Sequence, residues 1–332
     1  MTFLYNFIIQ LYILAIRITS LFNHKARLWL KGRKKLFRQI ENQLQGISEK
    51  TVWFHCSSLG EFEQGRPLIE AFSKKYPEYK IILTFFSPSG YEIRKNYDVA
   101  DFVFYLPADT KKNARKFLQL LQPEMAFFVK YEFWYHYLKQ LHKRQTPVYL
   151  ISGIFRTNQL FFQWYGSWYK KMLHFFTWFF VQNQSSEQLL FSAGFKNVTI
   201  SGDTRFDRVY DIAVQQKEKD RRFELFTTQY ITLIAGSTWP KDEELIIRFM
   251  QENPKKLKLI MDPHEIGKNN IKKIEALLGK DNYIKLSGFN ALSKEEIQKK
   301  QTLLIDSIGL LSSLYRYGDI AYIGGGFGKG IH

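Results

Sequence analysis

The sequence predicts an α/β protein made of two doubly wound parallel sheets in tandem. Three observations carry that expectation. From Thr51 onward, short apolar runs alternate with longer amphipathic ones, the pattern of a parallel sheet covered by helices on both faces. The chain has 332 residues, more than one ordinary domain needs. A polar stretch, Gln215–Arg222, interrupts the alternation before it resumes.

The strands of the first sheet fall at Val52–His55, Ile81–Phe85, Phe102–Tyr105, Ala126–Val129, Val148–Ile151, Trp178–Val181 and Val198–Ile200. Between them Gln64–Lys75, Lys111–Leu121 and Ser186–Ala193 carry apolar residues at helical spacing, and Gly194 is a helix stop. In the second sheet the strands are Ile231–Ala235, Leu257–Met261, Leu303–Ile305 and Ile320–Ile323. The helices there are Glu243–Gln251, Asn269–Leu278 and Leu310–Tyr315. The charged run Lys217 to Arg222 sets the boundary near residues 210–225, giving domains at 47–212 and 222–332. Ligands of such folds bind outside the carboxyl ends of the strands, so a cleft between the two sheets is the expected site. After Ile323 comes Gly324-Gly325-Gly326-Phe327-Gly328-Lys329-Gly330, then Ile331 and His332. A glycine turn after a strand leads into a helix, so the second domain is expected to continue beyond His332.

Thr2 to Phe22 is almost wholly apolar, interrupted by Asn6, Gln10 and Arg17. A bilayer-spanning helix needs about 20 apolar residues, and Arg17 lies near an end, where it can snorkel. The basic run Lys25, Arg27, Lys31, Arg33, Lys34, Lys35 and Arg38 follows, and positive residues stay on the cytoplasmic side. Residues 1–40 are therefore expected to be a membrane-anchor helix with its basic segment. A cleaved signal peptide would carry its charge ahead of the apolar stretch. A helix buried in the protein has no need of the adjoining basic run. Spanning the bilayer and lying in its interface both fit the sequence.

The formal net charge is +17, which calls for an anionic partner: nucleic acid, an acidic lipid surface, or a phosphorylated or carboxylated substrate. A single cysteine, Cys56, excludes a disulfide framework within the chain. His24, His55, His136, His142, His174, His264 and His332 show no zinc spacing, and all but His264 read as surface or satisfied polar residues. No metal and no cofactor are expected.

Chemistry is expected where strands end. His55-Cys56-Ser57-Ser58-Leu59-Gly60-Glu61 closes the first strand, and Glu61 there can take a proton from a hydroxyl or merely favour a helix dipole. In Lys130-Tyr131-Glu132-Phe133-Trp134, Glu132 stands among aromatics as a desolvated carboxylate or a helix-start residue. In Gly202-Asp203-Thr204-Arg205-Phe206-Asp207, Arg205 can grip an anion bidentately or pair with a neighbouring aspartate. In the second domain Gly236-Ser237-Thr238, Asp262-Pro263-His264-Glu265 and Gly324–Gly326 follow three strands at one sheet edge, an arrangement suited to a nucleotide. No Lys-Ser/Thr follows the glycines and no Gly-x-Gly-x-x-Gly opens the first domain, so neither a Walker loop nor dinucleotide binding is supported. No Asp-x-Asp is present, which favours a metal-free transfer over one that holds a nucleotide diphosphate through a cation.

Taken in chain order, Val52–Glu61, Thr84–Gly90, Tyr105–Asp109, Tyr131–Trp134, Gly202–Asp207, Ala235–Thr238, Pro263–His264, Asp306–Leu311 and Gly324–His332 resemble the 3-deoxy-D-manno-octulosonic acid (Kdo) transferases of Gram-negative lipopolysaccharide synthesis. The resemblance implies a GT-B fold, two Rossmann-like domains facing each other. It implies a CMP-Kdo donor, the lipid A precursor lipid IVA as acceptor, contact with inner-membrane lipid, and inverting transfer without a metal. Glu61 matches the general base, and Glu132 and Arg205 match positions that stabilise the transition state. Pro263, His264, Ile308, Gly309 and Leu310 match segments that touch CMP, beside Ser237 and the turn Gly324, Gly325 and Gly326. Departures are present: Arg205 stands where Lys is usual, Ile154 where Arg is usual, and Leu310 where Glu is usual. An Arg usual between the equivalents of Pro263 and His264 is missing, and an Asn and a Glu beyond the glycine turn would fall after His332. Two other readings fit parts of the sequence. One is a membrane-associated GT-B enzyme that uses a UDP-sugar, and the other is a basic, membrane-tethered binding protein without activity. Nucleic acid is disfavoured because Glu61 and Glu132 would repel phosphate. The basic and aromatic stretch Phe161–Lys171 is expected to pack on the sheet or touch lipid.

Overall fold

The computed structural model describes residues 1–207, 209–210, 219–253 and 257–327. Two compact units emerge, Met1–Arg208 and Val209–His332. The start of the polar stretch (residues 215–218) and the chain end from Gly328 to His332 lie outside the described residues.

Unit 1 contains β1 (Lys50–Cys56), β2 (Tyr79–Phe85), β3 (Phe102–Tyr105), β4 (Met125–Val129), β5 (Val148–Gly153), β6 (Trp178–Val181) and β7 (Val198–Ile200). They form one parallel sheet in the order β3-β2-β1-β4-β5-β6-β7. Alternate residues feed two cores, one on each face. Trp53, Phe104 and Phe128 enter one, while Val52, Phe54 and Leu83 enter the other. Burial on both faces explains why these strands are continuous apolar runs. The winding reverses between β1 and β4, so their carboxyl ends border the crevice where such sheets take ligands.

The helix after β1 runs from Leu59 to Lys75 and passes through Pro67, starting five residues ahead of the expected Gln64. A capping box of Ser58 and Glu61 supplies the earlier start. Gly194, at φ +93°, does end the helix Gln184–Ser192.

The N-terminal helix Thr2–Thr19 lies along unit 1. Thr2, Tyr5, Ile9, Ile13 and Ile16 recur at helical spacing and turn toward it. The Tyr5 hydroxyl donates to Asp109 at 2.5 Å, and His136 Nε2 lies 2.6 Å from Asn6 Oδ1. Phe3, Leu4, Phe7, Leu11, Leu14 and Ile18 face outward, exposed. The basic run that follows is no separate segment. The helices His24–Arg33 and Leu36–Leu44 sink Trp29, Leu36 and Ile40 into the unit 1 core. Arg33 is enclosed with them, donating to the carbonyls of Leu106 (2.9 Å) and Phe86 (2.8 Å), and burial pushes its guanidinium down to about 9.

Unit 2 contains β8 (Ile231–Thr238), β9 (Leu257–Pro263), β10 (Tyr283–Lys285), β11 (Thr302–Leu304) and β12 (Ile320–Ile323), parallel in the order β10-β11-β9-β8-β12. Ile234, Ile260 and Leu303 pack on one face, with Leu233, Leu259 and Leu304 on the other. β9, β11 and β10 lie on one side of β8 and β12 lies on the other. The reversal therefore lies between β8 and β12.

Candidate active site

In unit 1 all three predicted catalytic residues stand on the carboxyl edge of the sheet: Glu61 after β1, Glu132 after β4 and Arg205 after β7. Glu61 is half-buried in the first turn of its helix. The Ser58 amide donates to its Oε2 at 3.1 Å, and the Ser58 hydroxyl bonds the same oxygen. Both contacts fall on Oε2, so Oε1 carries no hydrogen bond from the described residues. The carboxylate is thus oriented by the helix start and keeps one oxygen for an incoming hydroxyl.

Glu132 is 7% exposed and closes a buried polar chain. Trp53 Nε1 donates to Thr84 Oγ1 at 2.8 Å, and His55 Nδ1 lies 2.8 Å from the same hydroxyl. The Phe54 carbonyl is farther from that hydroxyl, at 3.4 Å, so the hydroxyl hydrogen is better placed on His55 Nδ1. His55 Nε2 is then the N–H nitrogen and donates to Glu132 Oε2 at 3.1 Å, beside the Trp134 indole at 2.6 Å. Two N–H donors on one oxygen fix the carboxylate. His55 is the satisfied polar residue that the sequence indicates, and it also positions Glu132. Nothing local in the sequence reveals that second role, because its partners come from β2 and from beyond β4.

The loop after β7 folds back over the sheet edge. Thr204 Oγ1 donates to the Gln64 carbonyl at 2.6 Å and lies 2.8 Å from Ser152 Oγ, which ties the Arg205 loop to the helix that carries Glu61. The Arg205 side chain is exposed and grips Asp203 with Nε at 2.9 Å and an Nη nitrogen at 2.5 Å. Burial works to raise the Asp203 carboxyl, but the Arg205 bonds outweigh it and hold it below the usual range. An exposed pair of this kind adds little to stability, so a phosphate can displace Asp203 cheaply. Cys56, the last residue of β1, joins the two glutamates electrostatically. Its thiol is pushed well up by burial first, then by Glu61 and Glu132. Lys130 and Ser152, at the ends of β4 and β5, hold φ values of +69° and +52°, a costly conformation for non-glycine residues that collects at functional edges.

Unit 2 gathers its predicted residues on the corresponding edge of its own sheet. Ser237 is the next-to-last residue of β8 at φ +51°, Pro263 ends β9, Ile308 to Leu310 follow β11, and Gly324 to Gly326 follow β12. A Cβ on Gly324 would lie 2.3 Å from the Ser237 carbonyl oxygen and 2.7 Å from Thr238 Cα, so only glycine allows the turn to press on β8. Asp242 is fully buried and accepts from the Trp239 and Gly325 amides, at 2.9 Å each, and from the Tyr322 hydroxyl at 2.7 Å. The Gly325 amide is therefore engaged by a protein carboxylate. The His264 amide donates to the Thr238 carbonyl at 2.9 Å, and its ring stacks on Trp239 at 4.6 Å. Trp239 escapes the motif reading; its only sequence signal is its place directly after Gly236-Ser237-Thr238. Ile308 projects into solvent, whereas Leu310 packs on the unit 2 core.

Two further acids lie at this edge. Burial pushes Glu243 up to about 7 and Asp262 up to about 6. Both fold best protonated, so their contribution is full below about pH 4, where the unfolded groups titrate, and is lost as pH rises through those values. The melting temperature of unit 2 is expected to rise as pH falls from about 8 to 5, and Glu243→Gln should flatten that profile in calorimetry.

The 3-deoxy-D-manno-octulosonic-acid transferase (kdotransferase) family model matches residues 29–208. A bifunctional glycosyltransferase/methyltransferase of Fusobacterium nucleatum is 26% identical over 315 residues, 90% of this chain and 48% of that protein. A 3-deoxy-D-manno-octulosonic acid transferase of Aquifex aeolicus is 27% identical, covering 83% of this chain and 69% of its own length. One from Chlamydophila psittaci is 24% identical, with coverage of 83% and 64%. The chain therefore spans about half to two thirds of these curated relatives. Among solved structures, UDP-GlcNAc 2-epimerase from Neisseria meningitidis aligns with a TM-score of 0.55 at 16% identity, covering 83% of this chain and 78% of that one. That likeness shows the fold alone, the GT-B class of two Rossmann-like units. The matched span contains Glu61, Glu132 and Arg205, and the chain belongs to the 3-deoxy-D-manno-octulosonic-acid transferase (kdotransferase) family.

Proposed function

We propose that this protein is an inverting glycosyltransferase that moves Kdo from CMP-Kdo to lipid IVA at the cytoplasmic face of the inner membrane, without a metal. The observation that supports it most is Glu61, a carboxylate at the sheet's reversal point with one oxygen left for a substrate hydroxyl. Glu61 takes the proton from a glucosamine hydroxyl as that oxygen attacks the ketosidic carbon of Kdo. The bond from that carbon to the phosphate oxygen breaks, and CMP leaves with the electron pair. Arg205, released from Asp203, and the fixed Glu132 stabilise the charges that develop. The unit 2 edge, with Ser237, Pro263, His264, Ile308, Gly309, Leu310 and the turn Gly324 to Gly326, holds the nucleotide. A charge of +17 suits a donor with a carboxylate and a phosphate and an acceptor with two phosphates. The outward face of Thr2–Thr19 meets the bilayer that contains the acceptor. The test is to incubate the full-length protein with lipid IVA and either CMP-Kdo or UDP-sugars, then weigh the lipid. A gain of Kdo with CMP-Kdo only is expected. No gain, or a gain from a UDP-sugar, overturns the reading.

A further inference from the structure

We propose that the loop at residues 157–167 is a second membrane contact, with Trp164 and Tyr165 entering the headgroup region of the anionic bilayer that the helix Thr2–Thr19 meets. The proposal rests on the membrane reading given above. Trp164 is 93% exposed and Tyr165 53%. Trp and Tyr are the residues that settle at the boundary between lipid and water.

The loop holds them outside by construction. Phe161 is sunk beside Phe133, with ring centroids 4.6 Å apart. Gln163 Nε2 donates to the Thr157 carbonyl at 2.7 Å, and the Gly166 amide donates to the Gln163 carbonyl at 2.9 Å. Gly166 backs so closely on the Leu160 carbonyl that a Cβ there would lie 1.6 Å from its oxygen. A turn this tightly stapled presents Trp164 outward as a fixed feature and leaves its large apolar ring in water.

Two observations choose lipid over a protein partner. The first is continuity. Trp168, at the loop's end, packs on Tyr5 of the N-terminal helix at 5.6 Å and on Tyr135 at 4.9 Å. The segment that follows the loop is therefore packed on the inner stripe of the helix whose opposite face exposes Phe3 and Phe7. The second is charge. Lys170 lines the same hollow of about 490 Å³ as Trp164. Lys139 Nζ donates to the Tyr135 hydroxyl at 3.1 Å. His136 on this flank is driven down to about 4, by burial first and then by Lys139 and Lys111. The nearby carboxylate, Asp109, is buried and engaged by Tyr5. Lysines around exposed aromatics match anionic headgroups.

The test uses Trp164→Cys carrying an environment-sensitive fluorophore; Cys56 is buried, so the label goes to position 164. The full chain is mixed with vesicles of phosphatidylcholine and phosphatidylglycerol. The label is expected to shift to the blue and to be quenched by spin-labelled lipid, and Trp164→Ala should weaken vesicle binding about tenfold. Protein that sediments with vesicles while the label stays in water overturns this inference and leaves the helix contact standing. Protein that does not sediment at all sinks the membrane reading itself. A blue shift without lipid that grows with protein concentration marks a contact between copies and overturns the proposal, as does equal binding to vesicles of phosphatidylcholine alone.

Discussion

Replacing Glu61 with Gln should lower transfer from CMP-Kdo by about 10²–10⁴-fold while the protein keeps its fold. The structure makes Gln the informative choice. Its side-chain oxygen can still accept from the Ser58 amide, as Glu61 does at 3.1 Å, so the helix start keeps its cap. What Gln cannot do is take a proton. If Glu61 served only as a cap, Gln would leave turnover almost unchanged, and such a result in a steady-state assay would end the assignment. Circular dichroism and the melting temperature should match the parent protein, which separates lost chemistry from lost structure.

Asp242→Ala should destabilise unit 2 by about 3–5 kcal/mol, because it strands three buried or half-buried donors at once. These are the amides of Trp239 and Gly325 and the Tyr322 hydroxyl. One carboxylate joins the start of the helix Pro240–Glu252 to the glycine turn after β12, so its removal should loosen the turn and weaken CMP binding together. Burial works to raise its pKa, but the bonds from Tyr322, Gly325 and Trp239 win and hold it below the usual carboxylate range. Its contribution is therefore present above about pH 4 and fades as pH falls, opposite in sign to Glu243. Hydrogen exchange of the β8 amides against urea checks the figure. Unchanged protection would show that the turn is held by other means.

The central strands are legible because they are buried on both faces. Trp53 and Phe54 point to opposite cores, and both had to be apolar. The edge strand β10 was not legible, since only Ile284 of its three residues is buried, and one apolar residue makes no pattern. The helix Leu59–Lys75 starts earlier than its apolar spacing indicates, because the capping box of Ser58 and Glu61 sets its first turn before the periodic apolar residues begin. Site residues at strand ends could be found from position. Their partners could not: His55 meets Glu132 across 77 residues, and Thr204 meets Gln64 across 140. Arg33 was misplaced for a related reason. A guanidinium counts as surface charge until Trp29, Phe86 and Leu106 are seen to enclose it.

The latch between Tyr5 and Asp109, with Asn6 and His136 beside it, spans 104 and 130 residues of chain. A ribosome adding about 5–20 residues per second reaches His136 about 7–26 s after Asn6. Until Asp109 is made, Tyr5 of the nascent helix lacks its polar partner, and the stripe that later docks is open to a lipid surface or a targeting factor. Docking then covers the stripe of Tyr5, Ile9, Ile13 and Ile16 and leaves Phe3, Phe7, Leu11 and Leu14 outside.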